Sequence, residues 1–347
     1  MKTKKKYIPE IGIFEITSRC NLKCLHCYSS SGKAKPNELT KEEALKVVEG
    51  LKEIESKEVC IIGGEPLLRK EWEIIAKKVK DLDMKFSLIS NGFIIDKKIV
   101  EKLAELEPCD ISLSLDGATA KTHDRIRGVN GSFDRVLNSI SLLNQKNIPI
   151  SVITAVSKIN FKELPKMINI LKGKNIKWNI QATAPVGRFS EKYALTDKEF
   201  YTMGLFILAT RQKYSKGELP VLAAQCIGYN SRFAKKGLFP EDWKGCKGGT
   251  DFISITSEGN VKGCLSLPDE YIEGNVRERS IYDIWNDPEN FQYSRNFDVK
   301  DLGDFCKGCK YGEICKGGCI TMSIGRTGKP FNDPFCFHRM ERDIFND

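Results

Sequence analysis

No apolar run in this chain approaches the roughly 20 residues that cross a bilayer. Its basic N-terminus, Met1–Tyr7, has no apolar segment behind it. Neither a membrane span nor a secretory signal is expected, and the reading is cytoplasmic. Histidine is scarce, with 3 residues in 347. Internal repeats, low-complexity tracts and aromatic-interleaved basic stripes are missing, and so is any nucleic-acid module signature. The formal net charge of +9 includes four lysines among the first six residues, Lys2, Lys4, Lys5 and Lys6. That excess reads as a solvated basic surface, and a nucleic-acid partner is not expected. Cysteine, by contrast, is abundant at 13 residues. An unsecreted chain of this size keeps its thiols reduced. The cysteines therefore read as metal ligands and not as a disulfide framework.

A chain of this length buries a sizeable core, in one large domain plus a smaller one. Short apolar runs at Ile11–Thr17, Val59–Gly63, Lys85–Ile89, Ile111–Leu115, Pro149–Val156 and Ile176–Thr183 read as strands. Helical periodicity falls between them, near 40–54, 69–82, 96–107, 132–146 and 161–173. Thr40 with Glu43, and Thr196 with Glu199, fit the capping box, in which hydroxyl and carboxylate satisfy orphan N–H groups reciprocally. Asn160 is expected to cap the helix near 161–173. Strict β-α alternation implies a parallel sheet, and six such units suit a partial barrel, although a doubly wound sheet fits the same pattern. The pattern changes after residue 215. A hairpin is expected at Phe252–Thr256 and Val261–Cys264, and the last hundred or so residues hold seven cysteines with little apolar periodicity. So thin a core would need metal staples. The expected division is 8–215 for the α/β domain, 216–245 for a bridge and 246–347 for the cysteine-rich domain.

Cys20-x3-Cys24-x2-Cys27 follows directly on the first predicted strand. Loops at that end of a parallel barrel carry active sites. Three thiolates on one short loop can hold three irons of a 4Fe–4S cluster and leave the fourth open. A zinc site with His26 as fourth ligand is the alternative. Further motifs stand at successive strand ends: Gly63-Gly64-Glu65-Pro66, Ser90-Asn91-Gly92 and Ser114-Leu115-Asp116-Gly117. Then come His123-Asp124-Arg125-Ile126-Arg127-Gly128 and Gly131-Ser132-Phe133-Asp134-Arg135. A tight turn would account for Gly63 and Gly64, and a turn before Gly117 for Asp116, if each stood alone.

Taken in order, these motifs closely resemble those of the radical S-adenosylmethionine (SAM) family. The resemblance implies a partial (β/α)6 TIM-like barrel whose 4Fe–4S cluster is held by Cys20, Cys24 and Cys27. It further implies SAM contacts from Gly63, Gly64, Glu65, Pro66, Ser90, Asn91, Ser114, Asp116 and Arg135. Backbone groups and Glu65 would hold the methionine amino group, and Ser114 and Arg135 the carboxylate. An external one-electron donor of ferredoxin or flavodoxin type would reduce the cluster. SAM would then be cleaved to methionine and a 5′-deoxyadenosyl radical that takes hydrogen from the substrate.

The C-terminal cysteines read Cys246-x12-Gly259-x4-Cys264, then Cys306-x2-Cys309-x5-Cys315-x3-Cys319, then Cys336. Four thiols between Cys306 and Cys319 would also suit a zinc ribbon. The whole pattern resembles the SPASM extension of radical SAM enzymes, which binds two auxiliary 4Fe–4S clusters and would bring the total to three. By that resemblance Cys306, Cys309, Cys315 and Cys336 hold one cluster. Cys246, Cys264 and Cys319 hold the other, with Cys226 an open candidate for its fourth ligand. Cys60 and Cys109 read as strand packing, and His123 and His338 as structural hydrogen-bonding groups.

Two departures bear on the substrate. Leu265 stands where sulfatase-maturing members carry an aspartate base, which disfavours formylglycine formation. Only 19 residues precede Cys20, so a leader peptide would need a separate binding protein or recognition by the SPASM region. The expected substrate is a ribosomally made peptide undergoing cross-linking, thioether formation, epimerisation or oxidation. The alternative is a small molecule, a tetrapyrrole whose side chains are decarboxylated or trimmed in haem formation. In a different class stands a non-catalytic iron–sulfur or zinc protein.

Overall fold

The computed structural model describes residues 7–224, 227, 230–231 and 244–345. Six strands run parallel and pair in chain order: β1 (Ile11–Glu15), β2 (Glu58–Ile62), β3 (Lys85–Ser90), β4 (Asp110–Ser114), β5 (Ile150–Val156) and β6 (Ile176–Ala182). Each lies within a residue or two of its expected run. The helices are α1 (Lys41–Glu53), α2 (Trp72–Asp81), α3 (Lys97–Leu106), α4 (Ala120–Arg127), α5 (Ser132–Gln145) and α6 (Leu164–Leu171). After β6, α7 (Asp197–Lys213) leads to a short parallel strand, β7 (Val221–Ala223), on β6.

Local chemistry sets several boundaries. Thr40 accepts from the Glu43 N–H at 3.2 Å and Glu43 accepts from the Thr40 N–H at 2.8 Å, closing the box that starts α1. Thr196 and Glu199 do the same for α7. Asn160 does not cap α6. Its side chain donates to the carbonyls of Asp116 and Ala155, both at 2.9 Å, and accepts from the Ser157 N–H at 2.8 Å. It is a fully buried brace between the ends of β4 and β5, where satisfying three backbone groups outweighs a cap.

Among the described residues the C-terminal part forms no sheet of its own. The expected hairpin, β8 (Phe252–Ile255) and β9 (Asn260–Lys262), lays β8 parallel against β1, with Ile11 opposite Phe252 and Phe14 opposite Ile255. With β10 (Gly274–Asn275) this gives, among the described residues, one ten-stranded sheet, ordered β10-β9-β8-β1-β2-β3-β4-β5-β6-β7, whose two lateral ends do not pair. It is an open sheet in an α/β fold. The short helices α8 (Ile281–Asn286), α9 (Gln292–Arg295), α10 (Gly312–Cys315), α11 (Ile320–Thr327) and α12 (Phe337–Phe345) complete the chain.

The expectation of a thin C-terminal core is corrected by packing. Ile253, Ile255, Trp285, Phe291, Phe335 and Phe337 join the same apolar cluster as Phe14, Val59, Leu113 and Trp178. Each such side chain contributes about 1.5–3 kcal/mol when fully buried. Phe335 stacks on Phe200 of α7 with ring centroids 4.3 Å apart. One turn further along α7, Gly204 sits so close beneath Phe337 that a Cβ there would overlap the ring. That close approach explains a glycine in a helix interior, where it costs about 1 kcal/mol against alanine. A second cluster of Leu267, Leu302, Cys306, Ile320 and Phe331 packs against Cys246 and Cys264. Among the described residues no helix is long and apolar enough to cross a membrane.

Candidate functional site

A cavity of 390 Å³ opens at the C-terminal ends of the parallel strands, lined by Ile62 of β2, Ser90 of β3, Ser114 of β4, Ile153 of β5 and Ala182 of β6. The β1 loop supplies Cys20, Cys24 and Cys27 to the same cavity, and the C-terminal segment supplies Cys264 and Cys319. Of the residues expected to meet SAM, Gly63, Gly64, Ser90, Asn91 and Ser114 line it. Glu65, Pro66, Asp116 and Arg135 do not.

The cysteine loop is fixed from three sides. Its ends close on each other, Cys20 N–H to Gly32 O at 2.8 Å and Gly32 N–H to Ser18 O at 3.1 Å. The last turn of α4 holds it through Lys23 N–H to Arg127 O and Leu25 N–H to Ile126 O, at 3.0 and 2.9 Å. Beyond β6, Arg188 donates Nε–H to Cys24 O at 3.1 Å and Nη1–H to Ser31 O at 2.9 Å. The turn after β2 passes directly under this loop: Gly64 N–H reaches Thr17 O at 2.7 Å, and a Cβ on Gly64 would stand 2.5 Å from Arg19 O. Only glycine permits that approach.

Glu65, fully buried, braces the neighbouring strand end. Its carboxylate accepts from Asn91 N–H at 2.8 Å and Ser90 Oγ–H at 2.9 Å. Burial pushes its pKa up to about 7 against those hydrogen bonds. Asn91 in turn donates to Asn21 Oδ1 at 2.8 Å, so the turn after β3 grips the cysteine loop.

Asp116 is likewise fully buried. It accepts from Ala155 N–H at 2.8 Å and pairs with Arg127 Nη2 at 2.6 Å, with His26 Nε2 3.5 Å away. Burial acts to raise its pKa, but the Arg127 charge beside it is the main opposing influence, and the carboxyl is held below the usual carboxylate range. Burial lowers His26 to about 4, so it is neutral near pH 7. His123 accepts the Asp116 N–H on Nδ1 at 3.1 Å, a structural bond of the kind expected. Arg127 Nη1 also lies 3.6 Å from Cys24 Sγ. Arg135 is exposed at the start of α5, its guanidinium 5.4 Å from the Phe93 ring centre.

Arg127, Arg188 and Tyr28 line the cavity without having been singled out from sequence. Arg127 stands inside a quoted motif whose spacing gave it no distinct role. Arg188 has no local signal, because only tertiary packing carries it to the loop.

The C-terminal thiols sense one another electrostatically. Burial first, then the neighbouring Cys315 and Cys336, push Cys306 up to about 12. Burial raises Cys246 too, with Cys264 beside it. Thr321 Oγ lies 4.0 Å from Cys264 Sγ. Cys226 lies outside the described residues. Thiols are the ligands that iron–sulfur clusters use, and partly buried ones such as Cys20, pushed up to about 11 by desolvation, ionise when a cation draws off the proton. The donor sets therefore fit clusters chemically. Among the described residues no three His, Cys, Asp or Glu side chains converge closely enough to hold a single ion. Cys60, within β2 as expected, lines a separate 180 Å³ cavity near the other ends of the strands, with Glu58, Ser87 and Asp110.

Residues 14–171 match the Radical SAM superfamily model, and residues 246–310 match the SPASM iron–sulfur cluster-binding domain. The AdoMet-dependent heme synthase of Methanosarcina barkeri is 32% identical, over 95% of this chain and 97% of its own length. The mycofactocin maturase MftC of Mycobacterium tuberculosis is 28% identical, over 92% of this chain and 80% of its own. Among solved structures, Streptococcus suis SuiB bound to S-adenosylmethionine superposes with TM-score 0.73 at 20% identity, covering 95% of this chain and 77% of SuiB. The anSMEcpe structure with AdoMet and a Cp18Cys peptide gives 0.71 at 18% identity, covering 97% and 96%.

Proposed function

The chain belongs to the radical SAM superfamily and carries a SPASM iron–sulfur domain, and from that premise we propose that it oxidatively trims carboxylate side chains of a tetrapyrrole. When bound, SAM on a reduced cluster supplies a carbon-centred hydrogen abstractor, the hard step that no side chain performs. Cys20, Cys24 and Cys27 would hold that cluster. The backbones of Gly63 and Gly64, with Ser90, Asn91 and Ser114, would seat the amino-acid end of SAM. Glu65 and Asp116 act behind them, fixing the β3 turn and Arg127. Arg135, exposed beside the Phe93 ring and absent from the cavity wall, is left out of this set.

The observation that carries the redox reading is that Cys264 and Cys319 share one cavity with the cysteine triplet. A propionate side chain that loses one hydrogen atom and CO2 must also give up one electron to become a vinyl group. Cys246, Cys264 and Cys319 would hold a first auxiliary cluster beside the substrate to receive it. Cys306, Cys309, Cys315 and Cys336 would hold a second. A ferredoxin- or flavodoxin-type protein would supply the electron for SAM cleavage.

Two features favour a tetrapyrrole. The M. barkeri heme synthase aligns with this chain almost end to end in both directions, and an Fe-coproporphyrin III synthase is 25% identical over 94% of this chain. The cavity wall is largely aliphatic, with Ile62, Ile89, Ile153, Val186 and Met322, and the positive charge of Arg127 and Arg188, whose N–H groups are engaged by the protein, adds a favourable field for anionic groups. Such a wall suits a flat apolar ring bearing carboxylates. A peptide substrate is the second reading, favoured by the likeness to MftC, a maturase.

The test is anaerobic turnover with dithionite, SAM and an iron-coproporphyrin. Expected are about twelve irons per chain, three clusters of four, with 5′-deoxyadenosine release matched by loss of CO2 from the porphyrin. SAM cleavage that leaves the porphyrin intact, but proceeds faster with a candidate precursor peptide and alters its mass, would move the assignment to the peptide. Equal 5′-deoxyadenosine release by a Cys24→Ala variant would remove the triplet from the mechanism.

A further inference from the structure

Each thiol of the β1 loop has different company. Cys20 Sγ has the Leu22 N–H at 3.5 Å and Asn91 Nδ2 at 3.9 Å. Cys27 Sγ has the Ser31 N–H at 3.4 Å and the Ser29 hydroxyl at 3.5 Å. These partners are all neutral. Cys24 Sγ faces a cation, Arg127 Nη1, at 3.6 Å.

Arg127 is 7% exposed, and its guanidinium is also held by Asp116, itself inaccessible to solvent. Asp116 is anchored in turn by the Ala155 N–H. The main chain adds a second hold, since Arg127 O accepts the Lys23 N–H from the same loop. Arg127 Nε is buried without a hydrogen-bond partner among the described residues. An arginine that gives up hydration to face both a thiol and a carboxylate is costly to build for packing alone.

We propose that Arg127 is a positioning residue that sets the reduction potential of the cluster at Cys20, Cys24 and Cys27, with Asp116 holding its charge in place. The proposal rests on the reading that these three cysteines are the cluster ligands. Reduction adds one negative charge to a group already bearing three thiolates. A cationic donor on one sulfur, in a poorly screened interior, stabilises the reduced form more than the oxidised one. The potential therefore rises with Arg127 present, which eases electron entry. Asp116 opposes this, because its buried negative charge pairs with the same guanidinium. The pair thus carries two contributions of opposite sign, a signature that a merely structural role would lack.

The experiment is an EPR-monitored redox titration of the anaerobic holoenzyme, following the reduced-cluster signal that added SAM perturbs. Wild type, Arg127→Lys, Arg127→Gln and Asp116→Asn are compared, with iron counted in each. The midpoint is expected to move to more negative potential in Arg127→Gln, to move less in Arg127→Lys, and to move to more positive potential in Asp116→Asn. A midpoint unchanged in Arg127→Gln at wild-type iron content overturns the proposal. If that variant loses iron, Asp116→Asn decides, because its amide oxygen can still accept from Arg127 while the negative charge is gone, and an unmoved midpoint there also overturns the proposal. A wild type with iron but no SAM-perturbed signal refutes the cluster assignment itself, separately from the role of Arg127.

Discussion

Arg188 donates its Nε–H to the carbonyl of Cys24 at 3.1 Å, joining the loop after β6 to the loop after β1 across 164 residues of chain. The same guanidinium reaches Ser31 O at 2.9 Å, and the Arg188 N–H reaches Cys27 O at 3.0 Å. One residue therefore fixes the exit of the cysteine loop in three places.

Replacing Arg188 by alanine removes two charge-assisted hydrogen bonds, each worth about 1.5–3 kcal/mol. The loop would no longer be held at the thiol spacing that a cluster needs. The expected outcome is iron lower by about one cluster of four and 5′-deoxyadenosine release down roughly tenfold or more, at 1.4 kcal/mol per decade. Arg188→Lys should not restore it, because a single ammonium lacks the fork that reaches both carbonyls. Wild-type iron and wild-type SAM cleavage in Arg188→Ala would show that the loop holds itself.

Much of this fold was legible in the sequence, because parallel strands buried on both faces leave plain apolar runs and capping boxes mark helix starts. β1 to β6, the starts of α1 and α7, and the β8–β9 hairpin follow from those signals. The pairing of β8 with β1 was not legible, since a strand's neighbour is chosen by the whole sheet and not by local residues. Asn160 shows the same limit: its type fits a cap, yet the bonds it makes are set by the approach of β4 to β5. At the site, the cysteines, Ser90, Asn91 and Ser114 stand at strand ends where their order implied. Glu65 and Asp116 carry charges that point to a cofactor, but both are spent on neighbouring protein groups. Arg127 and Arg188 gain their roles only when α4 and the β6 loop close around Cys24.

Glu65 makes a pH-dependent contribution whose sign follows from its burial. Its folded pKa is raised to about 7 from 4.5, so the folded chain binds the proton more tightly than the unfolded one. Stability is then fully present below pH 4.5 and is lost as pH rises through about 7. The loss is on the order of 3 kcal/mol at 1.36 kcal/mol per pKa unit. Glu65→Gln cannot ionise, although it misplaces an acceptor for the Asn91 N–H. The variant should be less stable than wild type at pH 5, and its deficit should shrink by pH 8. Denaturant melts at the two pH values measure this. A deficit that stays constant would mean that Glu65 is ionised in the fold throughout the range.

Cys264 and the cysteine triplet face one cavity, yet the proposed roles separate them: initiation at the triplet, electron removal at Cys264. Cys264→Ala should therefore uncouple the reaction without stopping it. Iron should fall by about four atoms per chain. SAM cleavage should continue within a few-fold of wild type, because Cys20, Cys24 and Cys27 are untouched. Product should fall at least tenfold, as the substrate radical finds no acceptor and is quenched by taking hydrogen back. Paired assays of 5′-deoxyadenosine and product in the same tubes give the ratio directly. A ratio equal to wild type would place the electron acceptor elsewhere and leave Cys264 a structural role in the hairpin that joins β8 to β1. The neighbouring Thr321 offers an internal control, since its hydroxyl lies 4.0 Å from Cys264 Sγ and lines the same cavity. Thr321→Val removes that contact while keeping all the thiols, so it should leave both the iron count and the ratio near wild type.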